Sequence, residues 1–276
     1  VTERLALPPD YEPAAGLLAE RLILVTGAGA GLGRAAARAF AAHGASVVLL
    51  DKRLPDIESL YDEIVAGGGP EPLLHPLDLG VAGEQDYSHV ADAIATRHGH
   101  LDGLLHNAAE LGALCPIEHY PGDDWLRIVQ INLNAAFFLT RALLPALRRA
   151  PCASVLFTSD TVGRRGRAYW GAYAASKFAG EGLMQVLADE LEVNTRVRVN
   201  SLDPGAVRTR LRARAYPGED RGALPEAKQL TGAYIYLMSD DARAIRGRAL
   251  TLGPEAASGN RSPPADQSSR RNLDAG

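Results

Sequence analysis

Tyr173 and Lys177 stand four residues apart at the start of a segment with helical apolar spacing, so their side chains share one helix face. A phenol titrates near about pH 10 and is a poor acid or base at neutrality; an ammonium beside it favours the phenolate and brings it toward working range. Lysine suits that task as a compact point charge. The chain holds three lysines, Lys52, Lys177 and Lys228, among 29 basic residues, so lysine at 177 stands out. An amphipathic helix start with an exposed lysine would give the same spacing without any chemistry.

A second group of residues could hold a polyanion. Thr26-Gly27-Ala28-Gly29-Ala30-Gly31-Leu32-Gly33 follows an apolar run and precedes an Ala-rich helical segment. Backbone amides at such a helix start can face a pyrophosphate, and glycine lets it approach without a Cβ in the way. With 28 glycines in the chain, position is the stronger signal: the turn lies between strand and helix, and the next apolar run ends in Asp51. A carboxylate there accepts from adenosine ribose hydroxyls and repels a 2′-phosphate, which favours NAD over NADP without excluding NADP. Lys52 and Arg53 soften that preference, and Asp51 capping the following turn would leave it unsettled.

Elements that position these residues can be read from periodicity. Short apolar runs alternate with longer helical segments, the pattern of an α/β fold whose parallel sheet is covered on both faces. Seven strands are expected, near Leu22–Val25, Ser46–Leu50, Leu73–His75, Gly103–His106, Ser154–Thr158, Arg196–Leu202 and Ala249–Leu252. Helices are expected over Leu32–His43, Pro55–Ala66, Glu84–His98, Asp123–Arg149, Ala172–Glu192 and Pro225–Met238, with Gly44 and Gly67 as stops. The resulting division is an N-terminal arm over 1–20, one doubly wound domain over 21–253 with a long loop over 204–224, and a polar, disordered tail over 254–276.

Composition excludes several other classes. A formal net charge of −4 gives no general attraction to nucleic acid, and 46% hydrophobic with 22% charged side chains is ordinary for a globular chain. No apolar run has the length of a membrane span, and Glu3, Arg4, Pro8 and Asp10 stand where a secretory signal needs an apolar stretch. Cys115 and Cys152 are too few for a disulfide framework or a Cys-rich metal site and suit the cytoplasm.

Taken together, these motifs resemble those of the short-chain dehydrogenases/reductases over nearly all of Arg21 to Leu252. The matching pieces keep that family's order: the TGxxxGxG turn, Asp51, Asp78-Leu79, His106-Asn107-Ala108-Ala109 in place of NNAG, Asn132, the YxxxK pair, and Pro204-Gly205 with Thr209. The segments from Thr158 to Glu192 and from Arg208 to Asp220 look like its bacterial YciK-like branch. The resemblance implies a seven-stranded Rossmann-type sheet and hydride transfer between a nicotinamide cofactor and a small alcohol or carbonyl compound. Tyr173 would exchange the proton, Lys177 would hold the nicotinamide ribose and lower the tyrosine pKa, and Asn132 would hold a relay water. Gly27, Gly31, Leu32, Gly33, Asp51, Asp78, Leu79, Asn107, Ala108, Pro204, Gly205, Val207 and Thr209 would join Tyr173 and Lys177 around the cofactor, and no metal is implied. The resemblance further implies a homodimer or homotetramer joined through the long helices at 123–149 and 172–192.

One position departs from the family. Its catalytic serine lies thirteen residues before the tyrosine and three before a glycine, and both counts reach Asp160. A serine hydroxyl donates to a substrate oxygen; an ionised carboxylate only accepts and opposes a developing alkoxide. Three possibilities stand: Asp160 is protonated and donates, Ser159 or Thr161 takes the role, or carbonyl chemistry is weakened or lost, leaving a dinucleotide-binding sensor or scaffold. His106 reads as a packed strand end. Arg164, Arg165, Arg167, Arg208, Arg210, Arg212 and Arg214 flank the substrate side and suit either an anionic substrate or a solvated face, with Tyr169 and Trp170 as wall or packing.

Overall fold

Runs such as Leu22–Thr26 and Ser46–Asp51 are apolar along nearly their whole length, as strands must be when helices cover both faces of a sheet. The computed structural model describes residues 2–8 and 11–252. Its strands are β1 (Thr2–Arg4), β2 (Leu22–Thr26), β3 (Ser46–Asp51), β4 (Leu73–Pro76), β5 (Gly103–His106), β6 (Ser154–Thr158), β7 (Arg198–Asp203) and β8 (Ala249–Thr251). All pair in parallel, in the order β1-β8-β7-β6-β5-β2-β3-β4. The fold is a Rossmann-type doubly wound sheet, and the count of seven strands is corrected to eight among the described residues. Thr2–Arg4, placed in an arm by composition, pairs with β8 in the register Thr2↔Ala249 to Arg4↔Thr251. Three largely polar residues at a sheet edge carry no periodic signal of their own. The tail expected over 254–276 lies outside the described residues.

The helices are α1 (Gly31–Ala42), α2 (Leu54–Ala66), α3 (Glu84–His98), α4 (Gly122–Val129), α5 (Ala135–Arg149), α6 (Gly171–Glu192), α7 (Arg210–Ala215) and α8 (Thr231–Met238). On one face, Phe40 of α1, Leu60 of α2 and Leu237 of α8 join Ile23, Val47 and Leu49 in one core. On the other, Tyr87 of α3, Leu143 of α5 and Met184 of α6 join Leu24, Val48 and Val155. Two further corrections concern helices. The expected 123–149 helix runs on through Gly122–Arg149 but carries a π-helical turn at Gln130–Asn134, and 225–230 is turn and 3-10 structure after Pro225, so α8 begins at Thr231. Among the described residues, Gly122–Arg149 is the run long and apolar enough to cross a membrane. Here it is a core element that buries Ala135, Leu139 and Leu143 against the sheet.

The direction in which successive strands are added to the sheet reverses between β2 and β5, which are neighbours with β3 and β4 to one side and β6, β7, β8 and β1 to the other. The carboxyl ends of strands open into a crevice at such a switch point. β2, β3, β5, β6 and β7 there deliver Gly27, Asp51, Asn107, Asp160 and Pro204 to one cleft.

Candidate active site

The glycine turn is shaped by close backbone approach. Gly27 has φ +67°, and a Cβ on Gly33 would lie 2.2 Å from the Gly27 carbonyl oxygen and 2.6 Å from Asn107 Nδ2. The α1 amino terminus has no side-chain cap and no acidic residue in its first turn, leaving its amides directed at the cleft. That cradle, closed to any Cβ and open to an anion, fits the pyrophosphate of a dinucleotide. Asn107 ties the strand ends together: its amide donates to Thr26 Oγ1 at 3.0 Å and its Nδ2 to the Thr26 carbonyl at 3.3 Å. Ala108 N also donates to Thr26 Oγ1.

Asp51 Oδ2 accepts from Gly29 N at 2.9 Å and Oδ1 from Arg53 N at 3.1 Å, so the carboxylate braces the glycine turn and caps its own turn at once. Lys52 pairs with Glu110 at 2.7 Å and Arg53 with Asp56 at 2.7 Å. Asp78, whose Oδ1 accepts from Gly80 N, lines a side cavity of about 120 Å³ with Leu79, Leu50, Ala108 and Ile131. On the cleft's other wall, Gly205 (φ +74°) donates to Asp203 Oδ1, Val207 is buried, and Thr209 caps α7 through Arg212 N. Leu32, at the start of α1, lines the cleft with Gly27, Gly31 and Pro204. The sequence assigned no helix to 204–224; Thr209's cap makes one of Arg210–Ala215.

At the centre of the cleft, of about 720 Å³, are Asp160, Tyr173 and Lys177. The Tyr173 hydroxyl donates to Asp160 Oδ2 at 3.2 Å, and Asp160 Oδ1 accepts from Val162 N. Lys177 Nζ donates to the Thr158 carbonyl at 2.7 Å and lies 5.6 Å from the Tyr173 ring centre. The expected lowering of the Tyr173 pKa by Lys177 is corrected: burial, then the charge of Asp160 and its hydrogen bond, push the Tyr173 hydroxyl well above the ordinary tyrosine range. Burial pulls Lys177 down, opposed by the charges of Asp160, Glu181 and Asp203.

Asn132, in the π turn, is held on both sides. Its Oδ1 accepts from Glu110 N at 2.8 Å, and its Nδ2 donates to the Glu110 carbonyl and to Ser176 Oγ. Behind it, a cavity of about 30 Å³ is bordered by Asn132, Ser176, Lys177, Ser159 and Glu181, large enough for a water molecule.

Neither hydroxyl beside Asp160 faces the cleft as a free donor. Ser159 Oγ makes a short hydrogen bond to Glu181 Oε1, and Thr161 Oγ1 donates to Asp203 Oδ2 at 2.9 Å. Glu181 also accepts from Ser201 Oγ at 2.8 Å and from Arg164, which ties in turn to the Leu250 carbonyl. Glu181, Ser201 and Asp203 were missing from the sequence reading. The four-residue step from Lys177 to Glu181 on one helix face was the available signal for the first; the others depend on strand order.

Arg164, offered as a substrate contact, is thereby corrected to a part-buried partner of Glu181. Arg208 pairs with Glu226 on the surface, and Arg212 grips Glu219 through two hydrogen bonds of 2.7 and 2.6 Å. Trp170 packs on Tyr173 and Tyr216, while Tyr169 is exposed with φ +75°. Arg167 donates to Tyr216 Oη and stacks over both rings, and Arg212 lies 3.7 Å above the Tyr216 ring. His106 is buried with Nε2 2.7 Å from Thr140 Oγ1; burial takes its pKa down to about 3, so it is a neutral strand end.

Residues 21–220 match the family model for the short chain dehydrogenases. An uncharacterized oxidoreductase of Escherichia coli, YciK, is 44% identical over 244 residues, which cover 88% of this chain and 96% of that protein. A short chain dehydrogenase structure from Pseudomonas syringae superimposes with a TM-score of 0.87 at 50% identity, covering 88% of this chain and 99% of that one. Another, from Shigella flexneri and complexed with NADP, has a TM-score of 0.85 at 44% identity, covering 87% and 100%.

Proposed function

The chain belongs to the short chain dehydrogenase family, and from that premise we propose an NAD(P)-dependent oxidoreductase that exchanges hydride with a small organic substrate, an alcohol or carbonyl compound in the first instance. The observation that carries this reading is the meeting of an uncapped glycine-rich helix start with Tyr173 and Lys177 in a single cleft. The dinucleotide, when bound, supplies the hydride. The pyrophosphate would rest on Gly27, Gly31, Leu32 and Gly33, the adenosine near Asp51, Asp78 and Leu79, and the nicotinamide end near Asn107, Ala108, Lys177, Pro204, Gly205, Val207 and Thr209.

Tyr173 is the group that exchanges a proton with a substrate oxygen. Lys177, 5.6 Å from the Tyr173 ring centre, would hold the nicotinamide ribose and offset the rise that burial and Asp160 impose on the phenol, with protons reaching it from the side of Asn132 and the small cavity behind it. The protein contributes position and proton traffic. Asp160 works against this in a carbonyl reaction, because it takes the Tyr173 hydrogen bond and puts a carboxylate where an alkoxide forms. A second reading follows from the same contact: a chain that binds dinucleotide while turning alcohols over slowly or not at all. Tyr173→Phe tests the first. It is expected to abolish substrate-dependent NAD(P)H consumption while leaving nucleotide binding intact; unchanged consumption would overturn the assignment.

For the nucleotide, Asp51 argues for NAD by charge. Its two oxygens are nevertheless engaged by Gly29 and Arg53, and Lys52 lies alongside, which supports tolerance of NADP as in the Shigella flexneri relative. Exposed Leu126, Phe137, Phe178 and Val186 on α4 to α6 support assembly as a homodimer or homotetramer through those helices. The two free cysteines suit a cytoplasmic setting.

A further inference from the structure

We infer that the bond this site reduces best is a carbon–nitrogen double bond in its protonated, iminium form, with Asp160 as its counter-charge. The inference rests on the oxidoreductase reading above and names its substrate class. Three observations support it.

First, the site lacks donors for an oxyanion. The Tyr173 hydroxyl is directed at Asp160, Ser159 at Glu181 and Thr161 at Asp203. An alkoxide formed beside Tyr173 would meet a carboxylate where a hydroxyl donor is needed. Second, the charges around Tyr173 leave an excess of carboxylate. Asp160, Glu181 and Asp203 all act on Lys177, while Arg164 is committed to Glu181. Arg212, the loop arginine whose charge acts on Asp160, is answered by its two bonds to Glu219. An anionic substrate drawn to Arg212 would have to displace Glu219 and still meet Asp160, whereas a cation beside Tyr173 meets the Asp160 carboxylate directly; Arg210 and Arg221 line the loop side of the same cleft. Third, the wall beside Tyr173 is aromatic. The Trp170 ring centre lies 5.8 Å from that of Tyr173 and 5.7 Å from that of Tyr216, and Leu111 and Val162 complete a patch for the hydrocarbon part of a flat substrate, while Arg167 and Arg212 already stack on Trp170 and Tyr216.

The chemistry balances without an oxyanion. The imine nitrogen carries its proton before transfer, pointing it at the Asp160 carboxylate. Hydride from a dihydronicotinamide forms a C–H bond at the imine carbon, and the C=N π pair withdraws onto nitrogen as a lone pair. The substrate gains two electrons, the dihydronicotinamide is oxidised to the nicotinamide cation, and the neutral amine takes a proton from solvent on release. Negative charge develops nowhere in the substrate, so the carboxylate that obstructs carbonyl reduction holds the electrophile in its reactive, protonated state.

The test compares matched pairs, dihydroisoquinoline with α-tetralone and pyrroline with cyclopentanone, by NAD(P)H consumption in the wild type, Asp160→Asn and Asp160→Ser. The wild type is expected to favour each imine over its ketone by about tenfold or more in kcat/KM, and Asp160→Asn to lose about that factor on imines alone. Asp160→Ser is expected to reverse the preference. A readout without turnover accompanies it: tetrahydroisoquinolinium should bind the wild type about tenfold more tightly than Asp160→Asn by calorimetry, with no such difference for the neutral alcohol α-tetralol. Equal or better ketone turnover by the wild type, or equal binding by the variant, would overturn the inference and leave the oxidoreductase reading standing. If neither the wild type nor Asp160→Ser reduces any of these compounds while both bind nucleotide, the two readings fall together.

Discussion

The two ends of the cleft are built by different means. At the glycine turn, recognition is carried by backbone: amides at an uncapped helix start and positions where a Cβ would strike Gly27 or Ala108. Around Tyr173 it is carried by side chains, where one carboxylate at 160 redirects the tyrosine hydroxyl and two neighbouring hydroxyls face other acids. Backbone sites tolerate changes of side-chain identity, so the nucleotide end keeps its family's form. A side-chain site can change its chemistry with one residue, and Asp160 is that residue on the reading proposed above.

That contrast can be broken from either side. Tyr173→Phe should have the largest effect, about a thousandfold in kcat with nucleotide affinity retained, measured by steady-state kinetics and fluorescence titration. Glu181→Gln comes next: it leaves Arg164 part-buried without its counter-charge, and a loss of about 3 kcal/mol in denaturant unfolding is expected. Gly33→Ala should cost about 2 kcal/mol and weaken nucleotide binding, since the added methyl meets the Gly27 carbonyl. Asp51→Ala should be the smallest, shifting the ratio of NADH to NADPH affinity toward NADPH by about tenfold in calorimetry. A pH profile sharpens the comparison further. Asp160 helps hold Tyr173 protonated, so Asp160→Ser should move the alkaline rise of alcohol oxidation to lower pH.

Much of the fold was legible because its signals are local. β5 and β6 have the bounds that their apolar runs suggest, and the glycine turn and the Tyr173–Lys177 spacing mark the two ends of the cleft. What escaped was set at a distance. β1 is a strand only because β8 offers an edge, and the π turn at Gln130–Asn134 leaves no trace in apolar spacing. Glu181 comes from α6, Ser201 from β7, and Ser159 and Arg164 from the segment between β6 and α6, and only the strand order brings them together. The departure at Asp160 was visible as a residue type. Its consequence was not, because that depends on where Ser159 and Thr161 point.

Whether Asp160 sets the chemistry of the site is decided by NAD(P)H-dependent ketone reduction in the wild type and Asp160→Ser, once both are shown to bind nucleotide. Restoring a hydroxyl donor opposite Tyr173 is expected to raise ketone turnover by about a hundredfold. Turnover that is unchanged or lower in Asp160→Ser would contradict the account.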